Sequence, residues 1–192
     1  MLLVCSAWKE EIKDLNPSLT NKNTLIQPLG IGFLDGGIEL SRLLTSNPQI
    51  KKIIFLGTAG SYKTNLDIGE ILSIKSTSLL NLGSRLDLSY SPIKNNFISA
   101  DETFHGFKTA HCLVSMEISK QENLIFSDEK YLLENMELFG IARTAEIFRI
   151  SWSALLAVTN YVGANSHQEW VLNHKHCSSK LCEVINTTLL HS

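Results

Sequence analysis

Short apolar runs alternate with stretches of helical spacing along most of the chain. Strand-like runs fall at 1–6, 24–30, 51–57, 68–77, 110–118 and 153–160. Among them, Lys52-Ile53-Ile54-Phe55-Leu56-Gly57 is short, apolar and ends in Gly, the pattern of a central strand covered on both faces. Helical spacing predicts a helix over 36–46, with Ile38, Leu43 and Leu44 on one face and Asp35 placed to cap it. A second helix is predicted over 136–149, through Leu138, Ile141, Ala145 and Phe148. Gly140 within it costs about 1 kcal/mol relative to Ala, so a close packing contact is expected there. A third covers 166–189, with Trp170, Cys177, Leu181, Val184 and Leu189 as its apolar stripe. Residues 82–108 are polar and aperiodic, and read as a loop-rich excursion over a site or a subunit interface. This alternation predicts an α/β layered domain.

Composition narrows the picture. The 192 residues predict one domain spanning 1–192, with 44% hydrophobic and 19% charged residues, an ordinary globular mix. The net charge of −2 gives no electrostatic footprint for a nucleic acid or an anionic membrane, so a small-molecule partner is expected instead. No apolar run approaches the ~20 residues of a membrane span, and the apolar start Met1–Ala7 lacks a basic lead, so a core strand is expected there rather than a signal. Cys5, Cys112, Cys177 and Cys182 show no CxxC spacing, which predicts a reduced, cytoplasmic protein. His174 and Cys177 share a helix face, but a tetrahedral site needs more ligands, and no metal is expected.

Five segments carry candidate chemistry, and each has a plain structural alternative. Glu10 and Glu11 follow the first strand, where open α/β sheets place ligands and a helix dipole would keep a carboxylate ionised; both also suit an ordinary first turn. Gly57-Thr58-Ala59-Gly60-Ser61 lets a flat ligand approach the backbone, or is a simple strand-to-loop turn. Gly30–Gly37 superficially has a dinucleotide-binding pattern. No acidic residue ends the next strand, so a tight turn near a small ligand is favoured and no cofactor is expected. Glu134-Asn135-Met136-Glu137 pairs an apolar surface with hydroxyl acceptors, or is a charged first turn with one core Met. Thr159-Asn160-Tyr161 ends an apolar run in a polar amide, or opens an Asn-led turn.

Together and in this order, the segments resemble the nucleoside phosphorylase/nucleosidase superfamily. Val4–Glu11 looks like its first strand and the glutamate of its hydrolytic branch; Gly57–Ser61 looks like the base-binding loop. Glu134–Glu137 looks like the ribose-binding segment, and Asn160 stands at the purine-contacting Asp or Asn. With Trp170 downstream, the pattern is most similar to the futalosine hydrolase branch, shortened between Ser78 and Glu134. The resemblance implies a three-layer α/β/α sandwich around a mixed, partly curled sheet, a homo-oligomer (most simply a dimer) and a purine nucleoside as ligand. It implies that Glu11 activates water and Glu137 accepts bonds from ribose hydroxyls. Asn135 and Met136 would lie at the sugar, Ala59 and Gly60 beside the base, and Asn160 would donate to N7 or O6 of a 6-oxopurine. Ser115, Glu117 and Ile118 are the candidates for covering the base. No Arg occurs in 1–41 or beside Gly57–Ser61, which favours water over phosphate. A phosphorylase remains the alternative. So does a non-catalytic nucleoside binder, because Leu138-Phe139-Gly140 and Ala164-Asn165-Ser166 depart from the hydrolase pattern.

Overall fold

The computed structural model describes residues 1–62, 65–92, 96–120 and 130–190. Its strands are β1 (Leu2–Ser6), β2 (Thr24–Pro28), β3 (Lys52–Ser61), β4 (Ile71–Leu79), β5 (Phe97–Ser99), β6 (Thr109–Val114), β7 (Leu132–Asn135) and β8 (Ser151–Tyr161). Its helices are α1 (Phe33–Ser46), α2 (Leu82–Arg85), α3 (Leu138–Phe148) and α4 (Ser166–Leu190), with 3₁₀ turns at Lys9–Glu11 and Pro17–Lys22. All six expected strand regions hold a strand, and all three expected helices form. Four details differ. β3 runs four residues beyond 57, because β8 pairs with it as far as Ser61. Glu134 and Asn135 belong to β7 rather than to a helix start, because they bond to β3 and β6. α1 begins at Phe33 with Gly32 (φ 89°) before it, which leaves Asp35 inside the first turn rather than at the cap. The 82–108 segment holds α2 and β5 among its described residues.

One mixed sheet contains all eight strands of the described residues, and it closes on itself. The pairing runs β3–β7–β6–β4–β8 and back to β3, with β1 and β2 extending from β3 and β5 from β4. A mixed central sheet is what the sequence predicts; its closure into a ring is not. Closure requires β3 to fork. β8 follows one edge for the whole strand, while the other edge pairs with β1 up to Phe55 and with β7 from Gly60.

Alternation along β3 explains why both faces are apolar. Ile53 and Phe55 join the cluster that holds Leu40 and Leu44 of α1 and Ile141 and Ala145 of α3. Ile54 and Leu56 join the other, with Cys177, Leu181 and Ile185 of α4. The expected close contact at Gly140 is the crossing of α1 and α3. A Cβ there would lie 1.9 Å from the carbonyl oxygen of Phe33. Every other residue would have to push the helices apart.

Candidate active site

The fork in the sheet makes the site. Between the last β1 pair and the first β7 pair, one edge of β3 has no strand beside it, and buried backbone groups must find partners there. Two side chains supply them at Thr58. The Glu11 Oε1 accepts from the Thr58 N–H at 3.3 Å, and the Asn135 Nδ2 donates to the Thr58 carbonyl at 3.0 Å. A cavity of about 280 Å³ opens at this gap. Its volume is small for a ligand pocket.

Glu11 ends the 3₁₀ turn after β1 and is 5% exposed. Its carboxylate also accepts from the Ala7 N–H at 3.2 Å and the Thr58 hydroxyl at 3.3 Å. Burial comes first and the Glu137 charge second in pushing its carboxyl up from 4.5 to about 8, against these hydrogen bonds. Burial and the Glu137 charge thus work against the helix-dipole effect expected to keep this carboxylate ionised. A single 3₁₀ turn has little dipole, and burial dominates.

Glu137 stands across the cavity at the start of α3. Its Oε1 accepts from the Gly32 N–H at 2.9 Å, so the glycine-rich turn serves to aim an amide at a carboxylate. Burial raises its pKa, and the bond from Gly32 lowers it. Asn135 positions this residue. Its Oδ1 accepts from the Glu137 N–H at 2.7 Å and the Leu138 N–H at 2.8 Å, which also caps α3.

At the other end, β7, β3 and β8 place Glu134, Gly60 and Asn160 in register. A bulge at Thr159 shifts the β3–β8 register so that Asn160 falls beside Gly60. The Thr159 hydroxyl donates to the Asn160 Oδ1 at 2.9 Å, which fixes the amide with its nitrogen over Gly60. A Cβ on Gly60 would lie 2.8 Å from that nitrogen, so any side chain there would displace the amide. The Asn160 Nδ2 also donates to the Tyr161 carbonyl at 3.3 Å, leaving one of its two hydrogens for the cavity.

Glu11, Asn135, Glu137 and Asn160 thus line one cavity with Ala59, Gly60, Met136 and Ile118. Glu117 does not. β6 ends at Val114, and Glu117 is exposed on the irregular stretch beyond it, its N–H donating to the Ser115 hydroxyl. The wall also holds Trp8, Ile31, Thr58, Glu134, Ser166, His167 and Trp170, which sequence reasoning did not assign as ligand contacts. Trp170 donates its indole N–H to the Thr58 hydroxyl at 3.2 Å and stacks between His174, at 4.3 Å, and His167, at 5.9 Å. Their i, i+3 and i+4 spacing around Trp170 was the available signal. His174 and Cys177 are spent on this stack and on a bond to the Val158 carbonyl. Among the described residues, no lysine or arginine lines the cavity.

No family model matches the chain, and no curated protein does. Solved structures do. The 5′-methylthioadenosine/S-adenosylhomocysteine nucleosidase of Helicobacter pylori superposes with a TM-score of 0.80 at 13% identity, covering 99% of this chain and 97% of that one. A mutant futalosine hydrolase from H. pylori strain 26695 gives 0.81 at 14%, covering 99% and 98%. The 5′-methylthioadenosine/S-adenosylhomocysteine nucleosidase of S. pneumoniae, solved with a transition-state inhibitor, gives 0.79 at 12%, covering 98% and 97%. At these identities the likeness shows a shared nucleosidase fold over nearly the whole chain.

Proposed function

We propose that this protein is a purine-nucleoside N-ribosidase, hydrolysing the N-glycosidic bond of a 6-oxopurine nucleoside of the futalosine type. The observation that carries the reading is the pair of buried carboxylates, Glu11 and Glu137, facing one cavity without a cation among its described lining residues. Cleavage of the C1′–N bond sends the bonding electrons to the base and leaves an oxocarbenium-like ribose, which the negative charge of Glu137 stabilises while it holds the ribose hydroxyls. Water adds to C1′ and gives its proton to the ionised form of Glu11, a carboxyl whose pKa near 8 suits exchange near neutrality. That proton is the one the released base requires.

Met136 packs under the sugar in this reading, and Ala59, Gly60 and Ile118 bound the base. Asn160, its oxygen already occupied by Thr159, offers a donor to N7 or O6. Asn135 acts by aiming Glu137. The nucleosidase neighbours support the reaction type. The lack of a lining cation supports water over phosphate, since a phosphate dianion calls for paired cations. The three-layer arrangement belongs to the same reading, supported by the two hydrophobic clusters on opposite faces of β3. A homodimer and a role in menaquinone biosynthesis rest on the resemblance, and a cytoplasmic setting on the cysteine pattern.

The test is base release from a panel of purine nucleosides by the folded protein. Hypoxanthine appearing without added phosphate is the expected result. Release that requires phosphate and yields ribose 1-phosphate transfers the chain to the phosphorylases. Binding without release leaves a nucleoside-binding protein, and neither binding nor release sinks the proposal.

A further inference from the structure

The segment Glu134–Glu137 carries two carboxylates, and the proposed chemistry uses one. The other, Glu134, lies in β7 opposite Gly60, is 6% exposed and lines the cavity. Its carboxylate takes three donors: the Ser119 N–H at 2.9 Å, the Ser119 hydroxyl and the Tyr62 hydroxyl. Two of the three belong to one residue. Ser119 sits on the irregular stretch after β6, where no strand partner holds the backbone. Its neighbour Ile118 is the residue of 115–120 that reaches the cavity wall.

Among the described residues, few other hydrogen bonds reach this stretch. The Ser115 N–H donates to the Asn135 carbonyl at 3.2 Å, and the Ser166 hydroxyl lies 3.4 Å from the Ser119 carbonyl. Glu134 takes both the main-chain N–H and the side-chain hydroxyl of Ser119. Tyr62 braces it from the end of β3. Burial and the nearby Glu134 raise the Tyr62 phenol's pKa, which keeps it protonated and donating.

We infer that Glu134 is a positioning residue that anchors Ser119 and so sets where Ile118 stands in the cavity wall. The inference rests on the nucleoside reading only in taking the base as the group that Ile118 bounds. A carboxylate suits the task because three buried donors converge there, and each would be left unpaired without it. Its distance from Glu11 and Glu137 in function predicts an effect on fit rather than on bond cleavage.

Amide hydrogen exchange of the full chain, resolved to 116–120, tests it beside steady-state kinetics. Glu134→Ala is expected to speed exchange at Ser119 by about tenfold or more. In the same variant KM for the nucleoside rises about tenfold while kcat stays within about threefold. Glu134→Gln is expected to keep most of the protection. Its amide oxygen still accepts from the Ser119 N–H, and the two hydroxyls can rotate to accept from its NH₂. If Glu134→Ala does not fold, Glu134→Asp decides, since it keeps the charge but withdraws the carboxylate by a methylene and should lose the protection. Wild-type protection at Ser119 in either the Ala or the Asp variant overturns the inference, as does loss of kcat with KM unchanged. If the wild-type protein releases no base, the nucleosidase proposal fails while the exchange measurement still decides this one.

Discussion

The two ends of the cavity treat buried polar groups in opposite ways. At the end proposed for the sugar, Glu11 and Glu137 share the cavity with no lysine or arginine lining it among the described residues, and burial raises both. At the base end, the Glu134 carboxylate is met by three donors and the Asn160 carbonyl by Thr159. Glu11 takes as many donors as Glu134, so the difference lies in burial and in the like charge of Glu137, which favour proton binding at Glu11. Reactivity and recognition are thus separated across about three strands of one sheet.

Glu11→Gln should break the contrast most completely. It keeps the shape and one of the two backbone bonds, since its single carbonyl oxygen can accept from Ala7 or from Thr58 but not both, and it cannot take a proton. A fall in kcat of about 10²–10⁴-fold is expected, with KM little changed. Asn160→Asp acts on the other end. On the proposed reading, the Asn160 donor aimed at O6 favours 6-oxopurine over 6-aminopurine nucleosides. The substitution should weaken or reverse a roughly ten- to hundredfold preference in kcat/KM. Equal kcat/KM for inosine and adenosine in the wild type would show that Asn160 does not read the base.

Gly60→Ala sharpens the same end by geometry alone. The new methyl would meet the Asn160 nitrogen at 2.8 Å and turn the amide. Base affinity should fall about tenfold, measured by hypoxanthine titration, with the kcat of Glu11-dependent cleavage less affected.

The smallest effect is on stability. The Glu11 carboxyl binds its proton more tightly when folded, about 8 against 4.5, so its contribution is complete below about 4.5 and is lost as pH rises through 8. The wild-type Tm should therefore fall more steeply than that of Glu11→Gln between pH 6 and 9, by about 2–4 °C for each kcal/mol lost. Parallel curves would mean that burial does not hold the proton.

Much of this arrangement was legible in the chain. Apolar runs marked β1, β3 and β8, and a glycine in a helical pattern marked the contact of α3 with α1, because each signal is local. The misses are long-range. β7 has four residues, two of them polar, and becomes a strand only because β3 and β6 flank it. The protonation of Glu11 depends on burial and on Glu137, neither visible beside Lys9 and Glu10. Glu117 was placed by extending a strand past Val114, where the ladder stops. Glu134 was read as part of a motif but not as a site residue, since its donors at 62 and 119 are brought to it by the ring.

A ring of paired strands has no loose end from which a register error can begin. To slip Gly60 by one residue against Glu134 or Asn160, each of β3, β7, β6, β4 and β8 would have to adjust, and every side chain moved would change face. The positions of the base-side groups are therefore a property of the topology rather than of local packing. Substitution can change which groups stand at 134 and 160, but their separation stays. A frame of that kind lets the groups at 134 and 160 change while the carboxylates at 11 and 137 keep their places.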